Sequence, residues 1–257
     1  MIQWTSVTVT HRGKVRRINE DSVLASDTQG FWVVADGMGG HSAGDYASQY
    51  LCARLLDQNF SGVSLTEGVS LFRKVIESSN QHLLAYAREH DFSAVGSTVV
   101  GLRLTSDGVG ALHWVGDSRL YQYQAAGMVQ LSHDHSLVQE LVDLGELSAE
   151  EAENFPSKNV ITRAIGANNT IFCDTQIVDV DQPTLFLLCS DGLSNEVPDD
   201  ALRSILAHAL EQIRAVELKT AQKRQILGEA AEQLLDAALL NDAADNISFI
   251  LVEASPQ

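Results

Sequence analysis

The chain has 257 residues, 45% of them hydrophobic and 20% charged, so a sizeable core is available and extensive disorder is excluded. Its 34 acidic residues against 17 Lys and Arg give a net charge of −17, and such a surface argues against nucleic-acid binding because it repels phosphates. The three cysteines lack metal-ligand spacing, no apolar run could span a bilayer, and the chain does not open with a secretory signal. We therefore expect a cytoplasmic protein without a membrane partner.

In chain order, the residue patterns predict short strands, two helices, a strand-rich block, and then helices with two further strands. The first strands fall at 7–10, 22–26 and 31–35, and the first helices at 43–57 and 65–90. The strand-rich block covers 96–104, 111–115, 119–124 and 129–131, with hairpin turns at Gly108 and Gly127. The remaining elements are helices over 136–153, 199–210 and 217–240, and strands over 185–189 and 247–252. Hairpin-linked strands with helices before and after them predict a layered, antiparallel α+β domain.

Four aspartates stand next to predicted apolar strands: Asp36, Asp117 and Asp191 each follow a strand, and Asp245 precedes one. Three of the four residues after Asp36 are glycines, so we expect a sharp turn that leaves this carboxylate exposed at the strand tip. Carboxylates at the mouths of adjacent strands repel one another unless cations neutralise them, and oxygen ligands favour Mg²⁺ or Mn²⁺ over zinc. A single Asp-Gly after a strand is more often only a turn, so the pattern alone leaves both interpretations open.

Seven short motifs, taken together and in order, favour the metal-site interpretation. They are GKVRRINED at 13–21, DGMGGH at 36–41, GST at 96–98, GDSR at 116–119, DHS at 134–136, SDGL at 190–193 and DNI at 245–247. Each motif is weak alone, but the ordered set resembles the metal-dependent protein phosphatases, the type 2C or PPM family, in their bacterial stand-alone form. The resemblance implies an α+β fold with four layers, αββα, in which two central antiparallel sheets are flanked by helices. It also implies one domain over residues 1–257, with a flap segment at about 145–167.

The resemblance implies a set of core metal ligands. Asp36 matches the carboxylate that bridges two metals, with the carbonyl of Gly37 as a further ligand. Asp191 and Asp245 match the ligands of the first metal, whereas Asp242 is a nearby rival that the motif register disfavours. The expected cofactors are two Mn²⁺ or Mg²⁺ ions per site, with a third ion as in bacterial members.

The same resemblance implies peripheral ligands. Glu20 and Asp21 match acidic positions that serve the second metal directly or through its waters. Asp117 resembles the ligand that, with Asp191, binds the third metal, and Asn159 lies where a flap backbone oxygen reaches that ion. The residues expected to orient these ligands from behind are Asn19, Thr98 and Asn246.

The implied reaction is an in-line attack on a phosphomonoester by a hydroxide that bridges two metals, without a covalent intermediate. Arg16 holds the motif position for gripping the phosphate oxygens, although it and the adjacent Arg17 could simply be solvated. Met38 stands where many eukaryotic relatives carry a histidine assigned as the proton donor, and methionine cannot donate a proton. A metal-bound water or His41 could serve as the acid, although local hydrogen bonding in the turn also accounts for His41. His135 is expected to be structural.

The resulting hypothesis is a monomeric phosphatase that acts on phosphoserine and phosphothreonine proteins and reverses a partner kinase in signalling. Two alternatives remain. A metal-dependent nuclease or phosphodiesterase is disfavoured by the net charge and by the lack of basic or aromatic-rich stretches. A non-catalytic regulator with the same fold should have lost metal ligands, whereas every expected acidic position is filled here.

Overall fold

The computed structural model describes residues 1–39, 43–153, 155–157 and 159–256. The strands are β1 (Ile2–His11), β2 (Asp21–Ser26), β3 (Phe31–Gly39), β4 (Val95–Ser97), β5 (Val99–Leu104), β6 (Val109–Val115), β7 (Arg119–Gln124), β8 (Gly127–Gln130), β9 (Asp174–Asp179), β10 (Thr184–Cys189) and β11 (Ile247–Pro256). The helices are α1 (Ala43–Leu56), α2 (Leu65–Glu89), α3 (Leu137–Asp143), α4 (Ala149–Glu153), α5 (Asp191–Ser194), α6 (Asp199–Ala215) and α7 (Thr220–Leu240). Within the described residues, none of the helices is long and apolar enough to cross a membrane.

The strands form two antiparallel sheets that pack face to face. Sheet I has the order β1-β11-β10-β7-β8, and sheet II has the order β2-β3-β5-β6-β9 with β4 added to β3. Alternate side chains of β10 serve two cores: Leu185 and Leu187 pack against α6 and α7, whereas Phe186 and Leu188 meet sheet II. A third core joins the outer face of sheet II to α1 and α2. This αββα order of layers confirms the expected α+β sandwich.

The predicted turn at Asp36 was wrong, because β3 continues through that residue to Gly39. The glycines after Asp36 pair with β4, where Gly37 lies opposite Ser97. Glycine is needed at position 37 for close approach: a Cβ there would lie 2.0 Å from the carbonyl oxygen of Gly44. Asp36 is therefore a half-buried residue within a strand and does not stand exposed at a strand tip.

The predicted helix over 136–153 was also wrong, because it divides into α3 and α4. Gly145 has a φ of +73° and its N–H bonds to the carbonyl of Val142, so it ends α3 in the left-handed conformation that glycine adopts readily. Ser148 then starts α4: it accepts from the N–H of Glu151, whose carboxylate accepts from the N–H of Ser148. The sequence contained both signals, and they mark a break rather than a continuous helix.

Two elements were not predicted, the edge strand β9 and the single-turn helix α5. Among the described residues, β9 pairs only with β6, at the edge of sheet II. Its buried and exposed side chains alternate less clearly than those of the inner strands, because much of it faces solvent. α5 begins at Asp191, one residue beyond Ser190, which follows the end of β10; the sequence pattern left a simple turn and a metal ligand both open at this Asp-Gly. The predicted strand over 96–104 is divided at Thr98 into β4 and β5, and the other predicted strands and helices are present, most of them with shifted ends.

Candidate functional site

Five aspartates from segments far apart in the sequence come together at one end of the two sheets. Asp21 and Asp36 lie opposite each other on β2 and β3. Asp191 follows β10, Asp245 precedes β11, and Asp117 lies on the connection from β6 in sheet II to β7 in sheet I. The charges of the other four all act on Asp36. The structure thus brings together all four aspartates that the strand pattern singled out, and adds Asp21.

Burial strongly disfavours the ionised forms of these carboxyl groups. Burial raises the pKa of Asp36 well above its ordinary value, and the neighbouring carboxylates raise it further. Burial likewise raises the pKa of Asp117 to about 8, that of Asp21 to about 7 and that of Asp191 to about 6. A cluster of like charges in such surroundings costs free energy unless protons or cations neutralise it.

Two carboxylate oxygens at this site have no hydrogen-bond partner. Among the described residues, Oδ1 of Asp117 and Oδ1 of Asp191 are both buried and unpaired. Buried polar atoms are nearly always paired in native proteins, so these two oxygens are available to a ligand that accepts their lone pairs. In the part of the chain that the structure describes, no three Asp, Glu, His or Cys side chains close around a single point as a compact metal-binding group.

Arg16 stands at the edge of the aspartates and pairs with one of them. Its guanidinium donates to Oδ2 of Asp245 at 2.5 Å, and its side chain is 49% exposed. This hydrogen bond raises the pKa of Arg16, with the charge of Glu20 contributing as well. A half-exposed guanidinium beside the carboxylates is within reach of an anion that enters from solvent.

Glu20 and Gly37 place two further oxygens at the N-terminus of α1. The N–H of Gly37 bonds to the carbonyl of Glu20 at 3.1 Å. A Cβ on Gly44, in the first turn of α1, would lie 2.5 Å from Oε1 of Glu20 and 2.8 Å from the carbonyl oxygen of Gly37. The lack of a side chain at Gly44 therefore lets both predicted ligand oxygens approach the same point. Burial raises the pKa of Glu20.

Asn246 and Asn19 hold the loop that carries Arg16 and Glu20. The side chain of Asn246 accepts from the N–H of Glu20 at 2.8 Å and donates to the carbonyls of Arg12 and Ile18 at 2.9 and 3.0 Å. The side chain of Asn19 accepts from the backbone N–H of residue 21 at 3.1 Å. Both asparagines therefore bond to the backbone of the segment that carries Glu20 and Asp21.

Thr98 fixes the backbone of Asp36. Its hydroxyl accepts from the N–H of Asp36 at 3.1 Å and shares a 2.7 Å hydrogen bond with the hydroxyl of Ser118, next to Asp117. The hydroxyl of Ser97 donates to the carbonyl of Asp36 at 3.0 Å. Thr98 thus connects the segments of two aspartates, Asp36 and Asp117.

Sequence reasoning missed two residues that bond directly to the aspartates. Ser190 donates to Oδ2 of Asp21 at 2.9 Å, and Asn195 donates to Oδ2 of Asp191 at 3.1 Å. Ser190 is the N-cap of α5, and Asn195 follows Asp191 by one helical turn. A prediction of α5 would have identified both, because a cap residue and an i, i+4 spacing are sequence signals of a helix.

A cavity of about 520 Å³ opens beside the aspartates and extends toward α3 and α4. Asp117, Asp191 and Asn159 lie on its wall, so the structure brings the predicted flap residue to the same space as the two aspartates. Arg119 also lines the cavity, but its charge is neutralised by Asp134 at 2.7 Å. Other walls are apolar side chains of α3 and α4: Val138, Val142 and Ala152.

The sequence singled out three further positions, His41, Met38 and Asp242. His41 lies outside the described residues. Met38 lies on β3 opposite Gly96. Asp242, the rival metal ligand, is exposed on the loop before β11.

The sequence of this chain is similar to known protein phosphatases over most of its length. A family model described as "Protein phosphatase 2C" matches residues 10–235. The serine/threonine phosphatase stp of Listeria monocytogenes is 36% identical over 252 residues, which cover 95% of this chain and 93% of that protein. The serine/threonine protein phosphatase PstP of Mycobacterium tuberculosis is 31% identical over 255 residues, covering 94% of this chain and 43% of that protein.

Solved structures resemble the fold over nearly its full length. PppA, described as a key regulatory component of the T6SS in Pseudomonas aeruginosa, has a TM-score of 0.83 and 32% identity, covering 98% of each chain. The catalytic domain of PstP in complex with 2 manganese ions has a TM-score of 0.83 and 28% identity, covering 100% of each chain. Together with the family match over residues 10–235, these similarities establish that the chain belongs to the protein phosphatase 2C family.

Proposed function

We propose that this protein hydrolyses phosphoserine and phosphothreonine in phosphoproteins, in a reaction that requires divalent metal ions. The observation that carries the proposal is the convergence of five aspartates, drawn from separate segments, in a member of the protein phosphatase 2C family. The substrate class is supported by relatives named as serine/threonine phosphatases. The net charge of −17 favours a phosphoprotein over a nucleic acid as the source of the phosphate.

The residues present fit Mn²⁺ or Mg²⁺. The aspartates offer only oxygen ligands, their mutual repulsion is relieved by cations, and Asp117 and Asp191 each leave one buried oxygen unpaired. Asp36 would be the ligand common to two metals, with the Gly37 carbonyl as a further ligand, and Asp191 and Asp245 would hold the first metal. When bound, the cations supply Lewis acidity toward the phosphate and lower the pKa of water. The PstP structure that contains 2 manganese ions supports a site for two.

The outer ligands are assigned to the remaining acidic residues. Glu20 and Asp21 belong to the second metal, and the proximity of Glu20 to the Gly37 carbonyl at Gly44 supports this assignment. Asp117 belongs to a third metal together with Asn159, supported by their common position on the cavity wall.

Arg16 binds and orients the phosphate. Its planar guanidinium can donate to two phosphate oxygens at once, which a lysine ammonium cannot do in the same geometry. The pairing with Asp245 holds the side chain beside the aspartates, and its 49% exposure leaves it free to turn toward an entering phosphate. Arg16 thereby aligns the phosphorus with the attacking water.

The proton for the leaving serine or threonine oxygen must come from another group, because Met38 has no proton to give. His41 is the candidate donor within the same motif, and a water molecule is the alternative. The substitution His41→Gln distinguishes these two proton donors. Loss of the basic limb of the pH profile of kcat supports His41, and an unchanged pH profile supports water.

We further propose that residues 1–257 form one catalytic domain that acts as a monomer in the cytoplasm and reverses a partner kinase. The segment at 145–167 is its flap. Support for the flap comes from the cavity, which lies between this segment and the aspartates. Exposed apolar side chains at Leu144 and Val160 are in keeping with a surface that meets a phosphoprotein.

The test is hydrolysis of p-nitrophenyl phosphate with and without Mn²⁺, in the wild type and in Asp191→Ala. We expect turnover that a chelator abolishes, that Mn²⁺ restores, and that Asp191→Ala lacks. Asp242→Asn is the matched control, since this exposed aspartate lies on the same loop as Asp245 and is predicted to leave turnover unchanged. Absence of metal-dependent turnover in the wild type would leave the non-catalytic regulator as the better description.

Substrate class needs a second assay. Phosphate release from phosphothreonine peptides, without hydrolysis of bis(p-nitrophenyl) phosphate, supports a phosphomonoesterase. The reverse preference would favour the nuclease or phosphodiesterase alternative.

A further inference from the structure

We propose that His135 is a positioning residue that joins the loop carrying Asp117 to the base of the flap. The inference rests on the proposed function, because the metal role of Asp117 belongs to that proposal. His135 makes hydrogen bonds on both sides of its ring and through its backbone, and these bonds join the loop before Asp117, the start of β9 and the segment at 160–162.

The first side of His135 fixes the residue before Asp117. The backbone N–H of His135 donates to the carbonyl of Gly116 at 3.0 Å, and the N–H of Gly116 donates to Nδ1 of His135 at 3.0 Å. Gly116 has a φ of +104°, and a Cβ there would lie 2.6 Å from Cγ2 of Thr98, so the loop adopts a conformation that only glycine fits. Two hydrogen bonds therefore hold this unusual backbone directly beside Asp117.

The second side of the ring points to the start of β9. Nε2 of His135 lies 2.8 Å from Oδ2 of Asp174, and the guanidinium of Arg163 donates to the same oxygen at 2.8 Å. Because Nδ1 accepts from Gly116, the neutral ring must carry its proton on Nε2 and donate it to Asp174. Burial lowers the pKa of His135, with the charge of Arg163 contributing, so the ring is neutral at pH 7.

The backbone of His135 connects to the returning arm of the flap. Its carbonyl accepts from the N–H of Thr162 at 2.8 Å, and the N–H of Leu137 donates to the carbonyl of Val160 at 2.9 Å. Arg163, which contacts Asp174, follows in the same arm. The base of the flap and the Asp117 loop are thus attached to one buried residue, which is 7% exposed.

The two halves of the ring can be separated by substitution. Asparagine places its side-chain oxygen near the position of Nδ1 and can accept from Gly116, but it is too short to reach Asp174. Glutamine places its side-chain nitrogen near the position of Nε2 and can donate to Asp174, but its aliphatic stem offers Gly116 no acceptor. If His135 positions both partners, the two variants should fail in different measurements.

The experiment measures Mn²⁺ binding by calorimetry without substrate, and KM for p-nitrophenyl phosphate and for a phosphothreonine peptide. His135→Gln should weaken the weakest Mn²⁺ site by about 10-fold, the effect typical of losing a residue that orients a ligand. His135→Asn should retain Mn²⁺ affinity and raise KM for the peptide, with KM for p-nitrophenyl phosphate unchanged. His133→Gln is the matched control, because its exposed ring contacts only Asp143 among the hydrogen bonds of the described residues.

Asp174→Ala tests the flap side without changing the ring, because it removes the acceptor shared by His135 and Arg163. It should raise the peptide KM at least as much as His135→Asn does. Adding His135→Asn to it should bring no further increase, because the contact between residues 135 and 174 is already broken. The positioning role would be overturned if folded His135→Gln bound Mn²⁺ with wild-type affinity. It would also be overturned if the Gln and Asn variants lost Mn²⁺ affinity equally. If the wild type itself binds no Mn²⁺, the proposed function fails instead.

Discussion

The aspartate site and the flap side of the cavity face each other but are built differently. Asp21 and Asp36 lie on paired strands, and the backbone N–H of Asp36 donates to the hydroxyl of the buried Thr98. The flap side is the wall of the cavity formed by α3 and α4. α3 has seven residues, none of them buried, and α4 has five residues. We therefore propose that the sheets carry the chemistry that depends on fixed distances, and that the short surface helices make the contacts that vary between phosphoproteins.

The largest expected effect is at the aspartate site. Asp36→Asn should lower kcat by at least about 100-fold, because even residues that only orient a metal ligand contribute 10–100-fold. The same substitution should raise the unfolding temperature of the metal-free protein, since it removes a carboxylate from repulsive surroundings. Steady-state kinetics and thermal unfolding in chelator check the two effects. Loss of activity together with loss of stability would mean that Asp36 is structural.

The two regions should also differ in their contribution to stability. Leu188→Ala, in the core between the sheets, should lower the free energy of unfolding by about 2–5 kcal/mol through cavity formation. Leu144→Ala, at a side chain that is 72% exposed beside the flap, should change it by less than about 0.5 kcal/mol. Urea unfolding of both variants provides the measurement. A large loss in Leu144→Ala would show that the flap side is as tightly packed as the sheets.

The metal-free protein should become less stable as the pH rises. The folded pKa values of Asp191, Asp21 and Asp117 are about 6, 7 and 8, all above the unfolded value of 3.8, so the folded state binds more protons than the unfolded state. Stability therefore falls as the pH rises from about 4 to about 8. Thermal unfolding in chelator across this range tests the sign, and saturating Mn²⁺ should flatten the dependence. A rise in stability with pH in chelator would contradict the electrostatics of the site.

A smaller effect is expected for Arg16→Lys. The substitution keeps the charge and loses the planar fork, so KM for p-nitrophenyl phosphate should rise by about 10-fold, which corresponds to one charged hydrogen bond. Mn²⁺ affinity in calorimetry should not fall, since Arg16 is assigned to phosphate and not to metal. Arg17→Lys is the adjacent control and should leave KM unchanged. An equal effect of the two substitutions would argue that Arg16 is merely solvated.

How far the sequence predicted the site depended on how regular each element is. The buried strand β10 reads as an unbroken apolar run, so Asp191 could be placed at its end. Asp21 could be identified only from the motif resemblance, since nothing in its local pattern distinguishes it. Ser190 and Asn195 were missed because four residues of α5 are too few to show a helical period.

The same reasoning explains the errors on the flap side. A helix over 136–153 satisfied the apolar pattern, but the left-handed backbone at Gly145 and the cap at Ser148 divide it. The double role of His135 could not be read from the sequence, because Gly116 and Asp174 lie 19 and 39 residues from it. Contacts of that separation follow from the packing of the sheets and not from local preference.

The most direct test of the account is the location of metal ions in crystals soaked with Mn²⁺, measured by anomalous diffraction. The account predicts anomalous peaks between Asp36, Asp191 and Asp245, with at least two ions sharing Asp36 as a ligand. Peaks confined to other acidic residues of the surface, or none within coordination distance of Asp36, would contradict it.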